Sequence, residues 1–248
     1  MKSKTALVTG AASGIGAAIA ERFLMAGFRV ALFDINGEAA RITAHRITSD
    51  EPRIVIEGDV SDELQVRKAI SRTVLDLGSL DVLINNAGIE INGSVVNQSS
   101  RDWDRQIGVN LRSVFLFSKY AIPEMQDHGG SIINISSVHS LMSWPNCPAY
   151  DATKAGIIGI TRAMAVDHGR DGIRVNAICP GYIETPLLAQ WFASGAANKE
   201  DVLKSHPLGR IGTPNDVAEA ALFLASEAAS FISGISLIVD GALTALGH

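Results

Sequence analysis

Cysteine is scarce in this sequence of 248 residues, which contains only Cys147 and Cys179 and no cluster of cysteine with histidine. Neither a disulfide framework nor a zinc site is indicated by so few thiols, and no metal is expected. Unpaired cysteines are typical of proteins that remain in a reducing compartment. A cytoplasmic location is therefore expected.

Runs of positive charge and long apolar segments are also missing. The 21 lysine and arginine residues are outnumbered by 26 acidic ones, which gives a net charge of −5. A nucleic-acid partner is therefore not expected. A membrane span needs roughly 18–20 apolar residues, and charges such as Arg162 and Asp167 interrupt the longest candidates. The sequence therefore predicts a soluble protein without a membrane partner.

Short β-branched runs alternate with longer helical patterns along the whole chain, and no linker divides it. The alternation predicts one α/β domain over residues 1–248, a Rossmann-like, doubly wound fold with helices on both faces of a parallel sheet. The strands are apolar almost throughout, as burial on both faces requires. Seven are expected, at Thr5–Thr9, Arg29–Asp34, Arg53–Glu57, Val82–Asn85, Ser131–Ile135, Arg174–Cys179 and Ser236–Val239.

Helices are indicated where apolar residues recur at helical spacing, as in Gly14–Ala26 and Glu63–Leu77. Thr213 followed by Pro214 is typical of a helix start, with an N-cap and then proline at the first helical position. The segment 183–207 is long and mixed in character. We expect it to form a mobile, helical lid over a substrate site.

A glycine-rich turn follows the first strand and opens the first helix. The turn spans Thr9–Gly16, and its candidate cofactor-binding residues are Gly10, Ser13, Ile15 and Gly16. Glycines in this context allow the backbone to approach a pyrophosphate at the positive end of the helix. Asp34 ends the second strand, where a carboxylate can bind the adenosine ribose. Taken singly, the turn could serve packing alone and Asp34 could be an ordinary surface acid.

Two further turns end parallel strands, where ligands bind in such sheets. They contain Asp59 with Val60, and Asn85-Asn86-Ala87-Gly88. Tyr150 and Lys154 stand four residues apart at the start of a helical stretch, so they share one face. The ammonium is expected to lower the phenol pKa from its usual value near 10 and to favour oxidation at alkaline pH. In isolation, this spacing is common in surface pairs.

Together these motifs resemble the short-chain dehydrogenase/reductase family from Thr5 to Gly241, in order and spacing. The resemblance implies that Ser137 hydrogen-bonds the substrate oxygen, that Tyr150 transfers a proton and that Lys154 holds the ribose. It places Asn110 in a proton relay, where a kinking or capping role is the alternative. Asp59 and Val60 would contact the adenine, with Asn86 and Gly88 nearby. Ser136 competes with Ser137, but the spacing to Tyr150 favours Ser137.

The same resemblance implies that Gly181, Ile183 and Thr185 grip the nicotinamide carboxamide. It also implies a homotetramer, assembled through the long helices containing Trp103–Ala121 and Ala152–Asp167 and through the last strand. The preferred cofactor is expected to be NAD, since Asp34 faces the ribose and Ser13 stands where NADPH-preferring relatives carry a basic residue.

The substrate is less clearly indicated. Glu90, His139 and Asn146 are expected to ring the pocket with Trp144 and, in the lid, Trp191. Polar groups beside aromatic rings favour a small polyhydroxylated substrate such as a sugar or polyol. The main alternative is a 3-oxoacyl-carrier-protein reductase, which shares the catalytic residues. A non-catalytic, cofactor-sensing or scaffolding relative is another, which the complete set of catalytic residues disfavours.

Overall fold

A single parallel sheet forms the centre of the computed structural model, which describes residues 3–195 and 197–246 without the side chain of Ser194. The seven strands lie in the order β3-β2-β1-β4-β5-β6-β7, and every pair is parallel. Five strands have the predicted bounds, and β5 and β6 are slightly longer. The strands are Thr5–Thr9 (β1), Arg29–Asp34 (β2), Arg53–Glu57 (β3), Val82–Asn85 (β4), Gly130–Ile135 (β5), Ile173–Pro180 (β6) and Ser236–Val239 (β7).

The strand order reverses between β1 and β4, which are neighbours although two strands separate them along the chain. Beyond the carboxyl ends of two such strands, the following connections leave in opposite directions and open a crevice. The glycine turn follows β1 and the turn at residues 85–88 follows β4. Both predicted cofactor turns therefore border this crevice.

Helices cover both faces of the sheet. Glu63–Leu77 is helical as predicted, whereas the first helix ends one residue before the predicted Ala26. Thr213 caps the last long helix and forms a capping box with Asp216, which confirms the predicted start. The helices are Gly14–Met25 (α1), Gly37–Arg46 (α2), Glu63–Leu77 (α3), Ser100–Gln106 (α4), Ser113–Met125 (α5), Pro148–His168 (α6), Pro186–Ser194 (α7), Lys199–Lys204 (α8) and Pro214–Ala225 (α9).

The core consists of two apolar layers that share the sheet. Alternate residues of β1 point to opposite faces, so Val8 packs in one layer with Phe23 of α1, and Leu7 packs in the other with Phe117 of α5. Each of these side chains is fully buried. Burial on both faces explains why the strands are apolar without alternation.

The segment 183–207 forms two short helices, α7 and α8, rather than an open loop. Thr185 caps α7 through a bond from the Leu188 N–H. Leu188 packs with Val202 and Ile211 in a small apolar cluster of its own. This cluster is separate from the two main layers, although Ile183, the first residue of the segment, packs into one of them. The motion of the segment stays a prediction.

The fold also bears on three features that the sequence does not indicate, which are a membrane span, a metal site and a disulfide. No helix in residues 3–195 and 197–246 is long and apolar enough to cross a membrane. Over the same residues, the histidine, cysteine, aspartate and glutamate side chains form no group of three or more that could hold a metal ion. Cys147 and Cys179 are buried and unbonded to one another.

Candidate active site

A cleft of about 760 Å³ lies at the carboxyl ends of the strands. Its walls contain most of the residues that the sequence motifs predict for the cofactor and the chemistry. The predicted residues that line it are Gly10, Ser13, Ile15, Asp34, Asp59, Val60, Asn86, Gly88, Ser137, His139, Tyr150, Lys154, Gly181, Ile183, Thr185 and Trp191. Four further predicted site residues are not among those that line the cleft, namely Gly16, Glu90, Asn110 and Asn146.

The glycine turn leaves the first amides of α1 available to a ligand. Gly10 has a φ of +66°, a left-handed conformation that favours glycine. A Cβ on Gly16 would lie only 2.1 Å from the Gly10 carbonyl oxygen, so only glycine fits there. Ser13 is the N-cap residue, yet its side chain makes no capping bond. Free amides at the positive end of a helix fit a pyrophosphate.

The Asp34 carboxylate is held rigidly at the edge of the cleft. Its Oδ2 accepts a hydrogen bond from the Ala12 N–H, and its Oδ1 accepts one from the Asn36 N–H, both at 2.9 Å. Arg41, the first basic residue after Asp34 in the sequence, instead pairs with Glu38 at 3.3 Å and Glu57 at 3.2 Å. This edge of the cleft therefore presents a carboxylate held in a fixed position.

Two other predicted cofactor residues shape the cleft through internal bonds. Asp59 accepts hydrogen bonds from the Ser61 N–H at 2.8 Å and the Ser61 hydroxyl at 2.7 Å. The Asn86 amide donates to the carbonyls of Thr9, at 2.9 Å, and Gly10, at 3.1 Å. Asn86 thus ties the turn after β4 to the turn after β1 and sets the width of the crevice between them.

Ser137, Tyr150 and Lys154 meet at the inner end of the cleft. Lys154 is buried, its Nζ donates to the Ile135 carbonyl at 2.9 Å, and it lies 5.4 Å from the centre of the Tyr150 ring. The Ser136 hydroxyl donates to the Lys154 carbonyl at 2.8 Å. Ser136 is thereby committed to the backbone, whereas the Ser137 hydroxyl accepts from the His139 N–H at 3.2 Å and also hydrogen-bonds the Tyr150 side chain.

The electrostatics of this group differ from the sequence-based expectation. Burial raises the pKa of Tyr150 above its usual value, and the Glu90 carboxyl adds to the increase, while Ser137 opposes it. Burial also lowers the pKa of Lys154 to about 8, which weakens its charge at neutral pH. The expected lowering of the phenol pKa by the ammonium is therefore wrong for the free protein, because desolvation dominates the shift.

Asn110 lies behind the cleft in a π-helical turn, Ile107–Arg112, that interrupts the expected continuous helix from Trp103 to Ala121. It is fully buried, and its amide pairs with both backbone groups of Ile89 at 2.8 Å. Single π-turns are common at functional sites because they redirect one side chain. Since Ile89 lines the cleft, Asn110 acts as a positioning residue for that wall.

Aromatic rings in sequential contact form the substrate end. The His139 ring lies 4.4 Å from that of Trp144, Trp144 lies 5.9 Å from Tyr182, and Tyr182 lies 6.4 Å from Trp191. Tyr182 was not among the site residues predicted from the sequence, although its position directly after the Pro180-Gly181 turn could have indicated a place in the cleft. These four rings define the aromatic wall of the site.

Glu90 and Asn146 do not join this wall. Asn146 is exposed, adopts a left-handed conformation with φ of +67°, and its carbonyl accepts from the Gly93 N–H at 2.8 Å. The Glu90 carboxyl accepts a long bond of 3.5 Å from the Cys147 thiol, and its Oε2 is buried without a partner in the described structure. Burial raises the pKa of Glu90 to about 7. Of the predicted polar residues, His139 therefore lines the cleft, while Glu90 lies close enough to Tyr150 and Tyr182 to raise their pKa values.

Comparisons with known proteins agree with this geometry. Residues 10–244 match a family model described as enoyl-(acyl carrier protein) reductase. The chain is 41% identical to 2-(R)-hydroxypropyl-CoM dehydrogenase of Xanthobacter autotrophicus, over 98% of this chain and all of that protein. It is 39% identical to 3beta-hydroxysteroid dehydrogenase 1 of Eggerthella lenta, over 98% of this chain and 95% of that protein.

A solved structure gives the same result. The crystal structure of a putative short-chain alcohol dehydrogenase from Sinorhizobium meliloti superposes with a TM-score of 0.94 at 33% identity, covering 99% of this chain and 98% of that one. In this chain, the seven-stranded parallel sheet, the glycine turn at its switch point and the Tyr150–Lys154 pair in the adjoining cleft are consistent with these matches. This chain therefore belongs to the short-chain dehydrogenase/reductase family and is an oxidoreductase of CH–OH groups.

Proposed function

We propose that this protein is an NAD(H)-dependent dehydrogenase that interconverts a small secondary alcohol and its ketone. The observation that carries the proposal is the placement of Ser137, Tyr150 and Lys154 in the same cleft as the glycine turn and Asp34. One end of the cleft suits a dinucleotide and the other suits an alcohol. The nicotinamide, when bound, supplies the acceptor or donor of hydride.

The residues of the chain account for the proton that accompanies the hydride. When an alcohol is oxidised, its carbon loses hydride and its hydroxyl loses a proton, and Tyr150 is placed to take that proton. In reduction the neutral phenol returns it to the carbonyl oxygen. Ser137 polarises the same oxygen, and Lys154 beside Tyr150 is suited to hold the ribose. Asn110 supports the wall through Ile89.

A small substrate is favoured by space and by charge. The cleft of about 760 Å³ has to hold the dinucleotide as well as the substrate. In the described structure, its lysine and arginine side chains are Lys154 and Arg105. Arg105 belongs to α4, and none of the four rings of the aromatic wall comes from that helix. A polyol, sugar or short diol therefore suits the site better than a substrate carrying a phosphate or sulfonate.

The 3-oxoacyl-carrier-protein reductase activity remains the second candidate, because the matching family model carries a carrier-protein description. Such a substrate needs an entrance for a long phosphopantetheine thioester, and NADPH would be its expected reductant. The fixed Asp34 carboxylate at the ribose end disfavours that cofactor, so the alcohol dehydrogenase is preferred.

We also propose a cytoplasmic homotetramer. Helices α5 and α6 leave large apolar side chains uncovered, including Phe115, with 48% of its surface exposed, and Val166, with 80%. Covering such side chains on neighbouring helices is a common reason for association. Sedimentation equilibrium of the purified protein measures the assembly directly.

The proposal is tested by following NADH absorbance with a panel of secondary alcohols, polyols, sugars and acyl thioesters. Wild type should turn over a small secondary alcohol, and Tyr150→Phe should lose at least about 10²-fold in rate, since that is the usual contribution of a positioned acid/base group. Binding of NADH to this variant, measured by fluorescence, should persist. Retention of more than about a tenth of the activity would contradict the role of Tyr150.

A further inference from the structure

A buried histidine–aspartate pair, His139 with Asp151, lies beside the aromatic wall of the cleft. Asp151 directly follows Tyr150 in the sequence. The His139 Nδ1 lies 2.5 Å from Asp151 Oδ1, and only 8% of the His139 side chain is exposed. The other carboxylate oxygen of Asp151 accepts a hydrogen bond from the Ser143 hydroxyl. Both oxygens of Asp151 are therefore engaged, and the imidazole is held in one orientation.

This pairing determines which nitrogen carries the proton. A carboxylate can only accept, so the Nδ1 atom donates its hydrogen to Asp151 and the Nε2 atom of the neutral ring is left with a lone pair. Burial lowers the pKa of His139 despite the attraction of Asp151, which keeps the ring neutral at pH 7. The Nε2 atom is consequently a hydrogen-bond acceptor.

The acceptor is available to a ligand. Nε2 forms no hydrogen bond with any described residue, and it is not among the enclosed, unpartnered atoms of the structure. Since His139 lines the cleft, the opening at Nε2 is toward the cleft. The ring is further fixed by Trp144, 4.4 Å from it, and by an edge-to-face contact with Tyr150 at 5.0 Å.

The position of His139 relates this acceptor to the reacting atoms. Its backbone N–H binds the Ser137 hydroxyl at 3.2 Å, and its ring contacts Tyr150, so it adjoins both residues that hold the substrate oxygen. A group that reaches Nε2 therefore belongs to the part of the substrate next to the reacting carbon.

We propose that His139, oriented by Asp151, accepts a hydrogen bond from a second hydroxyl adjacent to the reacting carbinol, so that the enzyme prefers vicinal diols and the corresponding α-hydroxyketones. This inference rests on the dehydrogenase activity proposed above and specifies its substrate class. His139 is a substrate-binding residue, and Asp151 is a positioning residue that acts through it.

Other neighbouring groups fit the site less well. A carboxylate or sulfonate beside the carbinol has no hydrogen to donate to Nε2, and it would also approach the negative charge of Asp151. A methyl group there would leave the acceptor unpaired. An unpaired buried polar group lowers binding of the transition state, so we expect the second hydroxyl to raise kcat/KM about 10- to 100-fold.

The kinetic test compares 2,3-butanediol with 2-butanol, which lacks the second hydroxyl, and with lactate, in which a carboxylate replaces the neighbouring hydroxyethyl group. Wild type should prefer the diol to each by at least about tenfold. His139→Phe keeps a ring against Trp144 but removes the Nε2 acceptor. Asp151→Ala removes the carboxylate that fixes the imidazole proton on Nδ1. Each should reduce the ratio of diol to 2-butanol toward one, whereas His168→Phe, which alters a second histidine–aspartate pair outside the cleft, should leave it unaltered.

A spectroscopic test separates recognition from turnover. In ¹⁵N-labelled protein saturated with NADH, the Nε2 resonance of His139, assigned by its loss in His139→Phe, should be that of an unprotonated nitrogen and should move when the diol is added. Movement with the diol but no turnover of any alcohol supports recognition and overturns the dehydrogenase function. Turnover of 2-butanol or lactate at the rate of the diol, with a protonated Nε2, overturns the recognition and leaves the function standing.

Discussion

The choice between NAD and NADP offers the sharpest test of the cofactor site, because it depends on one carboxylate. Each oxygen of Asp34 already accepts one backbone hydrogen bond, from Ala12 or Asn36, at 2.9 Å. A carboxylate has about four acceptor positions, which leaves room for the two ribose hydroxyls of NAD. A charge-assisted bond of this kind contributes about 1.5–3 kcal/mol.

NADP would place a phosphate at the same carboxylate, where a like-charge contact costs on the order of several kcal/mol. Arg41 does not relieve this cost, because it is paired with Glu38 and Glu57. Taking only about 3 kcal/mol for the net difference gives a preference for NAD of about a hundredfold. The assay is kcat/KM with each cofactor at a saturating alcohol concentration.

Three variants separate the contributions. Asp34→Asn retains the shape without the charge and should bring the two cofactors close to parity. Asp34→Ser combined with Ser13→Arg should reverse the preference toward NADP. Glu57→Gln frees Arg41 on one side and serves as the control, since it leaves Asp34 in place and should preserve the preference for NAD. Equal use of both cofactors by wild type, or NADP use gained by Glu57→Gln alone, would refute the reasoning.

Two further predictions concern pH. Because the pKa of Tyr150 is raised, the phenol is protonated at neutral pH, so alcohol oxidation limited by chemistry should rise continuously with pH from 6 to 10, without a plateau below 10; a flat profile under the same limitation would contradict it. Glu90 has a pKa raised to about 7, so the folded protein keeps a proton that the unfolded chain releases above its usual pKa of 4.5. Its contribution to the free energy of unfolding therefore falls as pH rises from about 4.5 to 7. Glu90→Gln, compared with wild type by urea titration, should gain stability relative to wild type over that pH range. A difference that does not change with pH would exclude the buried carboxyl as the cause.

The local sequence was sufficient for the architecture. Apolar runs such as Thr5–Thr9 and Arg29–Asp34 coincide with strands because burial on both faces of a parallel sheet imposes a continuous apolar character. The glycine turn could also be predicted from the sequence, because the positive φ at Gly10 and the close backbone approach at Gly16 admit few other residues. The four-residue spacing in α6 placed Tyr150 and Lys154 on the same face of that helix.

Side-chain direction and burial were decided only by the tertiary structure. Nothing in the local pattern shows that the Glu90 carboxyl faces Cys147, or that Asn146 is exposed in a left-handed turn. The pKa of Tyr150 moved opposite to the expectation from Lys154 alone, because a pairwise charge argument omits desolvation.

The sequence by itself therefore determined the sheet, the turns that border the cleft and the position of the tyrosine and lysine pair, all of which depend on short-range periodicity and backbone conformation. Only the folded chain brought Asp151, in α6, against His139, which lies twelve positions earlier in a short 3₁₀ turn. Such a contact depends on how two elements pack in space, and that packing sets the proton on the imidazole and the hydrogen bond that the site offers to its substrate.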